Sequence, residues 1–268
     1  MNRYAVLGDP IEHSLSPRIH EHFGRLTGRS LVYERRRVPA GTLAEALKAL
    51  REAGGQGANI TVPLKIEALG QARSLSARAR AAGAVNTLTW DGEGWAGDNT
   101  DGAGLVRDLE CNAGVSLRGL RVLLVGAGGA AQGVAGALLE AGIACLAVAN
   151  RTPERAAQWV SGLDERARVA DYAALTGPFD LVINATSAGL AGALPPIPEP
   201  VFGGAIVYDL VYGPAAQAFC ALARACGARM VFDGLGMLVE QAAEAFWVWH
   251  GLRPPTAPVL RALRHEAR

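Results

Sequence analysis

Short apolar runs alternate with amphipathic stretches from one end of this chain to the other, a pattern that predicts an α/β protein with largely parallel sheets. Residues 3–8 (RYAVLG) read as a first strand. Ser16 and Pro17 then start a helix, the hydroxyl acting as cap and the proline sitting where a missing N–H costs nothing. Strands are expected at 31–38 (LVYERRRV), 57–62 (GANITV) and 83–90 (GAVNTLTW), separated by helical stretches at about Leu43–Glu52 and Leu64–Ala72. A second unit begins near Leu120, where residues 121–152 read as strand, glycine turn, helix, strand, within the span of one βαβ unit. Later strands fall at 179–186 (FDLVINAT), 205–212 (AIVYDLVY) and 228–233 (ARMVFD), and ALPPIPEP at 193–200 is a surface loop. The last long helix, Leu235 through Trp249, lies beyond the final strand of the second unit and is free to return to the first. The expected organisation is one domain over 1–103, completed by 235–268, and a Rossmann-type, doubly wound domain over 104–234, with a cleft between them.

The glycine turn gives the second domain its chemistry. In VLLVGAGGAAQGV, Gly126 and Gly128 permit the tight turn and close backbone approach that a pyrophosphate needs, and Ala131 fills the small third position. Gly129 and Ala130 open the helix, whose unpaired N–H groups face the phosphates. The next strand ends in ANRTPER, with Asn150, Arg151, Thr152 and Arg155 where an NAD site usually carries an acid for the ribose 2′-hydroxyl. Guanidinium groups at Arg151 and Arg155 suit a 2′-phosphate, so the expected cofactor is NADP. Thr152 is also a candidate cap for a helix opened by Pro153.

Composition narrows the function classes. A net charge of +1, with 19% charged residues, offers no basic stripe for nucleic acid and no field for an acidic membrane surface. The N-terminal MNRYAVLGDP breaks at a Gly-Asp-Pro turn too early for a signal-peptide core, and no apolar run reaches membrane-spanning length, so a cytoplasmic enzyme is expected. The four cysteines, Cys111, Cys145, Cys220 and Cys226, lack metal-ligand spacing and are expected as buried free thiols. No metal site is expected.

Two further strings complete the candidate site. GDNTDGAGL, at 97–105, sets Asp101 at the start of a helix-like run, and GANITVPLK, at 57–65, delivers Lys65 after an apolar strand. A lysine and a carboxylate able to converge, beside a dinucleotide cradle, point to hydride transfer on a small polar substrate: carbonyl reduction needs a proton at oxygen as hydride reaches carbon.

These strings, together with GDPIEHSLSP (8–17), GAVNT (83–87), NATSAG (184–189), YDLVY (208–212) and DGLGMLVEQAA (233–243), appear in an order that resembles the shikimate/quinate dehydrogenase family nearly end to end. The resemblance implies an N-terminal substrate domain facing a Rossmann domain, and NADPH-dependent reduction of 3-dehydroshikimate to shikimate on the route to chorismate. It implies that Ser14 and Ser16 bind the substrate carboxylate, with Tyr212 nearby in the substrate site, and that Thr61, Lys65, Asn86, Asp101 and Gln241 surround the ring hydroxyls. It gives Lys65 the leading catalytic role, with Asp101 on the same hydroxyl; which of the two carries the transferred proton stays open. Thr186, Ser187 and Met237 are implied to flank the cofactor ring and ribose. A quinate/shikimate enzyme of broader specificity and a dinucleotide-binding regulatory module without turnover are the alternatives, and a monomer or homodimer is expected.

Overall fold

In the computed structural model, which describes residues 2–266, the chain divides into two compact units. The first comprises residues up to Leu105 together with those from Leu238 onward, and the second runs from Val106 to Met237.

The first unit is built on β1 (Asn2–Gly8), α1 (Ser16–Thr27), β2 (Leu31–Arg37), α2 (Leu43–Glu52), β3 (Gly55–Ile60), β4 (Ser74–Leu75), α3 (Ala77–Ala82), β5 (Thr87–Trp90) and β6 (Trp95–Asp98). Its six-stranded sheet has the order β2-β1-β3-β5-β6-β4. The β1 strand pairs in parallel with β2 on one side and β3 on the other, so the chain changes direction along the sheet at β1 and β3. Ligands of open α/β sheets sit beyond the carboxyl ends of strands at such a point. The segments leaving those ends carry Ser14, Ser16, Thr61 and Lys65. Leu7, Leu43, Leu47, Leu50, Ile60 and Leu88 form the core under the sheet.

The sheet is mixed, contrary to the expectation of a largely parallel one, because β5 runs antiparallel to both β3 and β6. A tight turn through Asp91 and Gly94, with Gly92 at φ +106°, closes the β5–β6 hairpin. The expected helix at Leu64–Ala72 is a turn followed by a 3₁₀ segment, Glu67–Gln71. The cause is tertiary: the Lys65 carbonyl accepts the Val85 N–H at 2.8 Å, so Leu69 N–H turns to Ile66 instead, at 3.1 Å. The cap of α1 is also displaced. Ser16 is already helical, and the Ser14 hydroxyl accepts the Ser16 N–H at 3.3 Å one step earlier.

The second unit opens in the run α4 (Asp101–Arg107), along which the chain leaves the first. It continues with β7 (Arg121–Val125), α5 (Gly129–Glu140), β8 (Cys145–Ala149), α6 (Pro153–Val160), β9 (Ala167–Ala170), β10 (Leu181–Asn184), β11 (Ile206–Asp209), α7 (Gln217–Ala225) and β12 (Met230–Phe232). All pairs in its sheet, ordered β12-β11-β10-β7-β8-β9, are parallel. This is the doubly wound arrangement, with its switch point between β7 and β10. Strands β7, β8, β10 and β11 are almost wholly buried, which is why they read as unbroken apolar runs. The ALPPIPEP loop is largely exposed but buries Pro195 and Ile197.

Helix α8 (Leu235–His250) returns the chain to the first unit, followed by α9 (Ala257–Glu266). The cysteines are free, but only Cys220 is buried: Cys145 and Cys226 are half-buried and Cys111 is exposed, correcting the expectation of buried thiols. Among the described residues no helix is long and apolar enough to cross a membrane.

Candidate active site

Lys65 and Asp101, from two segments of the first unit, meet. The Lys65 ammonium donates to Asp101 Oδ2 at 2.5 Å, with side chains only 14% and 5% exposed. Lys65 is held in place by its own carbonyl on Val85, and Asp101 by its position as the first residue of α4, where the helix end favours an acid. Burying either charge alone would be costly, so each stabilises the other where water is scarce.

Asn86 organises the surroundings. Its Nδ2 donates to Asp101 Oδ1 at 2.8 Å and to Thr100 Oγ1 at 2.9 Å, while its Oδ1 accepts from Thr100 N–H at 2.8 Å and from Thr87 Oγ1 at 2.9 Å. The Asp101 carboxylate therefore has one oxygen on Lys65 and the other on Asn86. Asn99 Oδ1 receives the Asp101 N–H at 3.1 Å, and its own amide donates to Ala84 O at 2.9 Å. Gln241, on α8, lies beside this cluster with its Oε1 3.4 Å from both Asn86 Nδ2 and Thr100 Oγ1. Gly104 leaves room for it: a Cβ there would come within 2.6 Å of Gln241 Cβ.

The remaining residues expected around the substrate belong to the same unit, except Tyr212. Ser14 Oγ donates to Ser16 Oγ at 3.2 Å, and Arg35 fixes the loop by donating to Ser14 O at 2.8 Å. Thr61 caps the end of β3 against Gly8, where a side chain would overlap the Thr61 methyl. Tyr212 lies in the second unit, half-buried, just after β11. Sequence reasoning missed Asn59 and Tyr33. Tyr33 OH donates to Asn59 Oδ1 at 2.7 Å, and Asn59 Nδ2 donates onward to Asn86 O at 3.2 Å and Thr87 Oγ1 at 3.1 Å. The available signal was an asparagine inside the apolar string GANITV. Tyr33 also stacks on the fully buried ring of His20, centroids 4.3 Å apart and planes within 7°.

The second unit carries the expected dinucleotide groups. Gly126 follows β7 directly with φ +116°, and a Cβ there would come 3.0 Å from Ala185 O and 3.3 Å from Thr186 N, across the switch point. Gly128 occupies the cap position of α5 in extended backbone, and a Cβ on it would meet nothing within 4 Å. The amides of Gly129, Ala130 and Ala131 that follow have no intrahelical acceptors, and Gly128, at the cap position, has no side chain to offer them. This combination of open space and unpaired donors fits a pyrophosphate. Asn150 Nδ2 donates to Thr152 O at 2.8 Å, turning the chain into α6, while Arg151, Thr152 and Arg155 are exposed. Thr152 holds the cap position of α6 without a side-chain bond. Arg151 lies close enough to Tyr172 to oppose the upward push of burial on its phenol.

Thr186 is held by Asn184, whose Oδ1 accepts the Thr186 hydroxyl at 2.7 Å and its N–H at 3.1 Å. Asn184 Nδ2 in turn donates to Asp209 Oδ1 at 3.1 Å, which also accepts Val211 N–H at 3.0 Å. The other oxygen of Asp209 is buried without a hydrogen-bond partner among the described residues, and burial, with repulsion from Asp233, pushes this carboxyl up to about 7. Met237 lies in the first turn of α8, its N–H donating to Tyr208 OH at 3.1 Å; that hydroxyl donates to Asp108 Oδ2 at 2.6 Å.

Comparison with known proteins matches this geometry to one family. The model described as the shikimate dehydrogenase substrate binding domain matches residues 6–88, that of shikimate / quinate 5-dehydrogenase residues 109–191, and that of the shikimate 5'-dehydrogenase C-terminal domain residues 234–264. A shikimate dehydrogenase (NADP(+)) from Alkalilimnicola ehrlichii is 52% identical, with 99% of both chains covered. One of the same name from Xanthomonas euvesicatoria is 54% identical, covering 98% of this chain and 96% of that one. Among solved structures, shikimate 5-dehydrogenase from Thermus thermophilus, in complex with NADP(H) and shikimate, aligns with a TM-score of 0.88 at 38% identity over 100% of both chains. An Ael1 enzyme from Pseudomonas putida aligns with a TM-score of 0.91 at 43% identity over 98% of each. With three family models in chain order and this identity over nearly its whole length, the chain belongs to the shikimate dehydrogenase family.

Proposed function

We propose that the protein is an NADP-dependent shikimate dehydrogenase, reducing 3-dehydroshikimate to shikimate and running in reverse with NADP. The observation that carries the reading is the 2.5 Å hydrogen bond from Lys65 to Asp101, with Asn86 on the other carboxylate oxygen. A proton donor and an acceptor thus share a position from which one substrate oxygen can be reached by both. In reduction Lys65 gives its proton to the carbonyl oxygen, and in oxidation the amine takes it back from the hydroxyl. Asp101 aims the ammonium group and accepts from the same hydroxyl. Ser14 and Ser16 bind the substrate carboxylate, and Tyr212 is a further candidate substrate-binding residue; Thr61, Asn86 and Gln241 take the ring hydroxyls, whose absence from a wrong substrate would strand buried polar groups.

Bound NADPH supplies the hydride. The backbone at Gly126, Gly128, Gly129 and Ala130 would receive its pyrophosphate. Arg151 and Arg155, with Asn150 and Thr152, would take the 2′-phosphate, and Thr186 and Met237 would hold the cofactor ring and ribose. In this reading the residues to Leu105 and from Leu238 make the substrate domain, and Val106–Met237 the NADP domain. The enzyme works in the cytoplasm, where NADPH is regenerated, and every group it needs comes from one chain, so monomer and homodimer serve alike.

The test is reduced-nicotinamide absorbance with shikimate and quinate, each with NADP and NAD, on wild type and Lys65→Ala. Turnover should be fastest with shikimate and NADP, and Lys65→Ala should lower kcat by about 100-fold or more with a modest change in KM. Comparable rates with quinate would make the enzyme the broader one. No turnover with any pair would leave a dinucleotide-binding regulator. Full kcat in a folded Lys65→Ala would remove Lys65 from the chemistry.

A further inference from the structure

A second polar cluster in the first unit lies behind the groups assigned to substrate, meeting them through the Asn86 N–H, which donates to Asp98 O at 3.0 Å. Arg78, on α3, grips Asp98 with two parallel bonds, Nε to Oδ1 at 2.7 Å and Nη2 to Oδ2 at 2.6 Å, and its Nη1 donates to Glu244 Oε1 at 2.8 Å. Arg253 bonds both Glu244 and Glu240, the latter at 3.2 Å. Three half-buried or buried acids thus surround two guanidinium groups, linking α3, the end of β6, α8 and the segment before α9.

Removing so many charges from water costs about as much as the pairing returns, so such a cluster contributes little net stability. What it fixes is geometry. Asp98 stands three residues before Asp101, and its Oδ1 also accepts the Asn99 N–H at 2.7 Å and the Ser76 hydroxyl at 2.5 Å. Asn99 Oδ1 then receives the Asp101 N–H, so Arg78 is linked to the backbone that carries the Asp101 carboxylate through three successive hydrogen bonds. Burial works to push the Asp98 carboxyl up, but the bonds from Arg78 and Ser76 overcome it and hold the group below its ordinary value, charged and directional. On the opposite side, Glu240 and Glu244 flank Gln241 on α8. Direct contacts from Gln241 to Asn86 and Thr100 are 3.4 Å long, at the limit of a hydrogen bond, and align it weakly. The Gln241 amide is instead anchored on its own helix, Nε2 donating to Leu238 O at 2.8 Å, so its aim depends on where α8 is held, and the ion cluster through Glu240 and Glu244 holds that helix.

We propose that Arg78 is a positioning residue for the dehydrogenase reaction, its fork on Asp98 and Glu244 holding Asp101 and Gln241 in register on either side of the substrate hydroxyl. The inference rests on the assignment of Lys65, Asp101 and Gln241 to that hydroxyl. It concerns groups that contact neither substrate nor cofactor.

The test compares Arg78→Lys, Arg78→Met and Asp98→Asn with wild type in steady-state shikimate oxidation, alongside thermal unfolding. Arg78→Lys keeps the charge but loses the fork, and should lower kcat about tenfold while leaving KM for NADP within about twofold. Arg78→Met should lower kcat further. Asp98→Asn retains an acceptor for Asn99 and should lie between wild type and Arg78→Lys. Unchanged kcat in a folded Arg78→Lys overturns the proposal. So does a fall in kcat matched by an equal rise in KM for NADP, the mark of general loosening. Should Arg78→Met fail to fold, Arg78→Lys and Asp98→Asn carry the decision. Lys65→Ala separates the two readings: if it keeps full turnover, the assignment of the reacting pair fails; if it abolishes turnover while Arg78→Lys does not alter it, only the positioning role fails.

Discussion

His20 makes the first unit sensitive to acid in a way that can be calculated. Its ring is fully buried, stacked on Tyr33 and edged by Phe23, with Phe246 and Trp249 within 6.3 Å, and neither nitrogen has a hydrogen-bond partner among the described residues. Burial first, and then repulsion from His250, lower it from the ordinary 6.5 to about 3, with Asn59 opposing. A base lowered in the folded state leaves the unfolded chain richer in protons between those two values. Stability is therefore complete above pH 6.5 and is lost as the pH falls through the window. At pH 4.5, two decades below the unfolded value, the loss is about 3 kcal/mol, or roughly 6 to 12 °C in Tm for a unit of this size. His20→Phe forfeits no hydrogen bond and cannot titrate. Its packing cost is the same at both pH values, so Tm measured for both proteins at pH 7 and pH 4.5 isolates the proton. Wild type should lose those extra degrees relative to the variant. An identical shift in the two proteins would mean that the buried imidazole takes up a proton without penalty, and the account of its site would be wrong.

Asp209 should behave in the opposite sense. Its folded value of about 7 exceeds the ordinary 3.8, so the stability it permits is present at low pH and lost as the pH rises between them. Asp209→Asn keeps an acceptor for Asn184 and Val211, and should gain up to about 4 kcal/mol on wild type between pH 4 and pH 8, read by urea unfolding; a constant difference would refute it. Arg151→Ala should raise KM for NADP by about tenfold or more while leaving that for NAD nearly unchanged, since one charge-assisted bond to phosphate is at stake. Equal losses with both cofactors would show that Arg151 does not read the 2′-phosphate.

The Rossmann-type unit was legible because its central strands are buried on both faces and leave apolar runs that end in glycine or polar residues. Gly126 could be placed from its spacing alone, because the tight turn after β7 needs its positive φ. The first unit was harder. The β5–β6 hairpin lies in WDGEGW, where polar turn residues outnumber the signals of its short strands. The helix expected at Leu64–Ala72 failed because a distant amide, Val85, claims a carbonyl that the local pattern assigns to the helix. The cap of α1 moved because Ser14 reaches the Ser16 amide first. Lys65 and Asp101 were visible as candidates, but the Asn59–Tyr33 support was not, since nothing local announces that a strand asparagine will bond residues 26 and 27 positions away. The Arg78–Glu244 bond spans 166 positions, and charge pattern within one helix could not reveal it.

The discontinuous first unit has a consequence for synthesis on the ribosome. Tyr4 stacks on Trp249 at 4.5 Å and Phe23 packs on Phe246 at 5.8 Å, so aromatic surfaces made first are covered by a helix made almost last. The usual order of domain maturation, amino terminus first, is inverted: Val106–Met237 has all its strands while the earlier segment still waits. Until Trp249 clears the exit tunnel, the nascent amino-terminal sheet carries uncovered apolar rings, and this is the interval in which a chaperone would matter most.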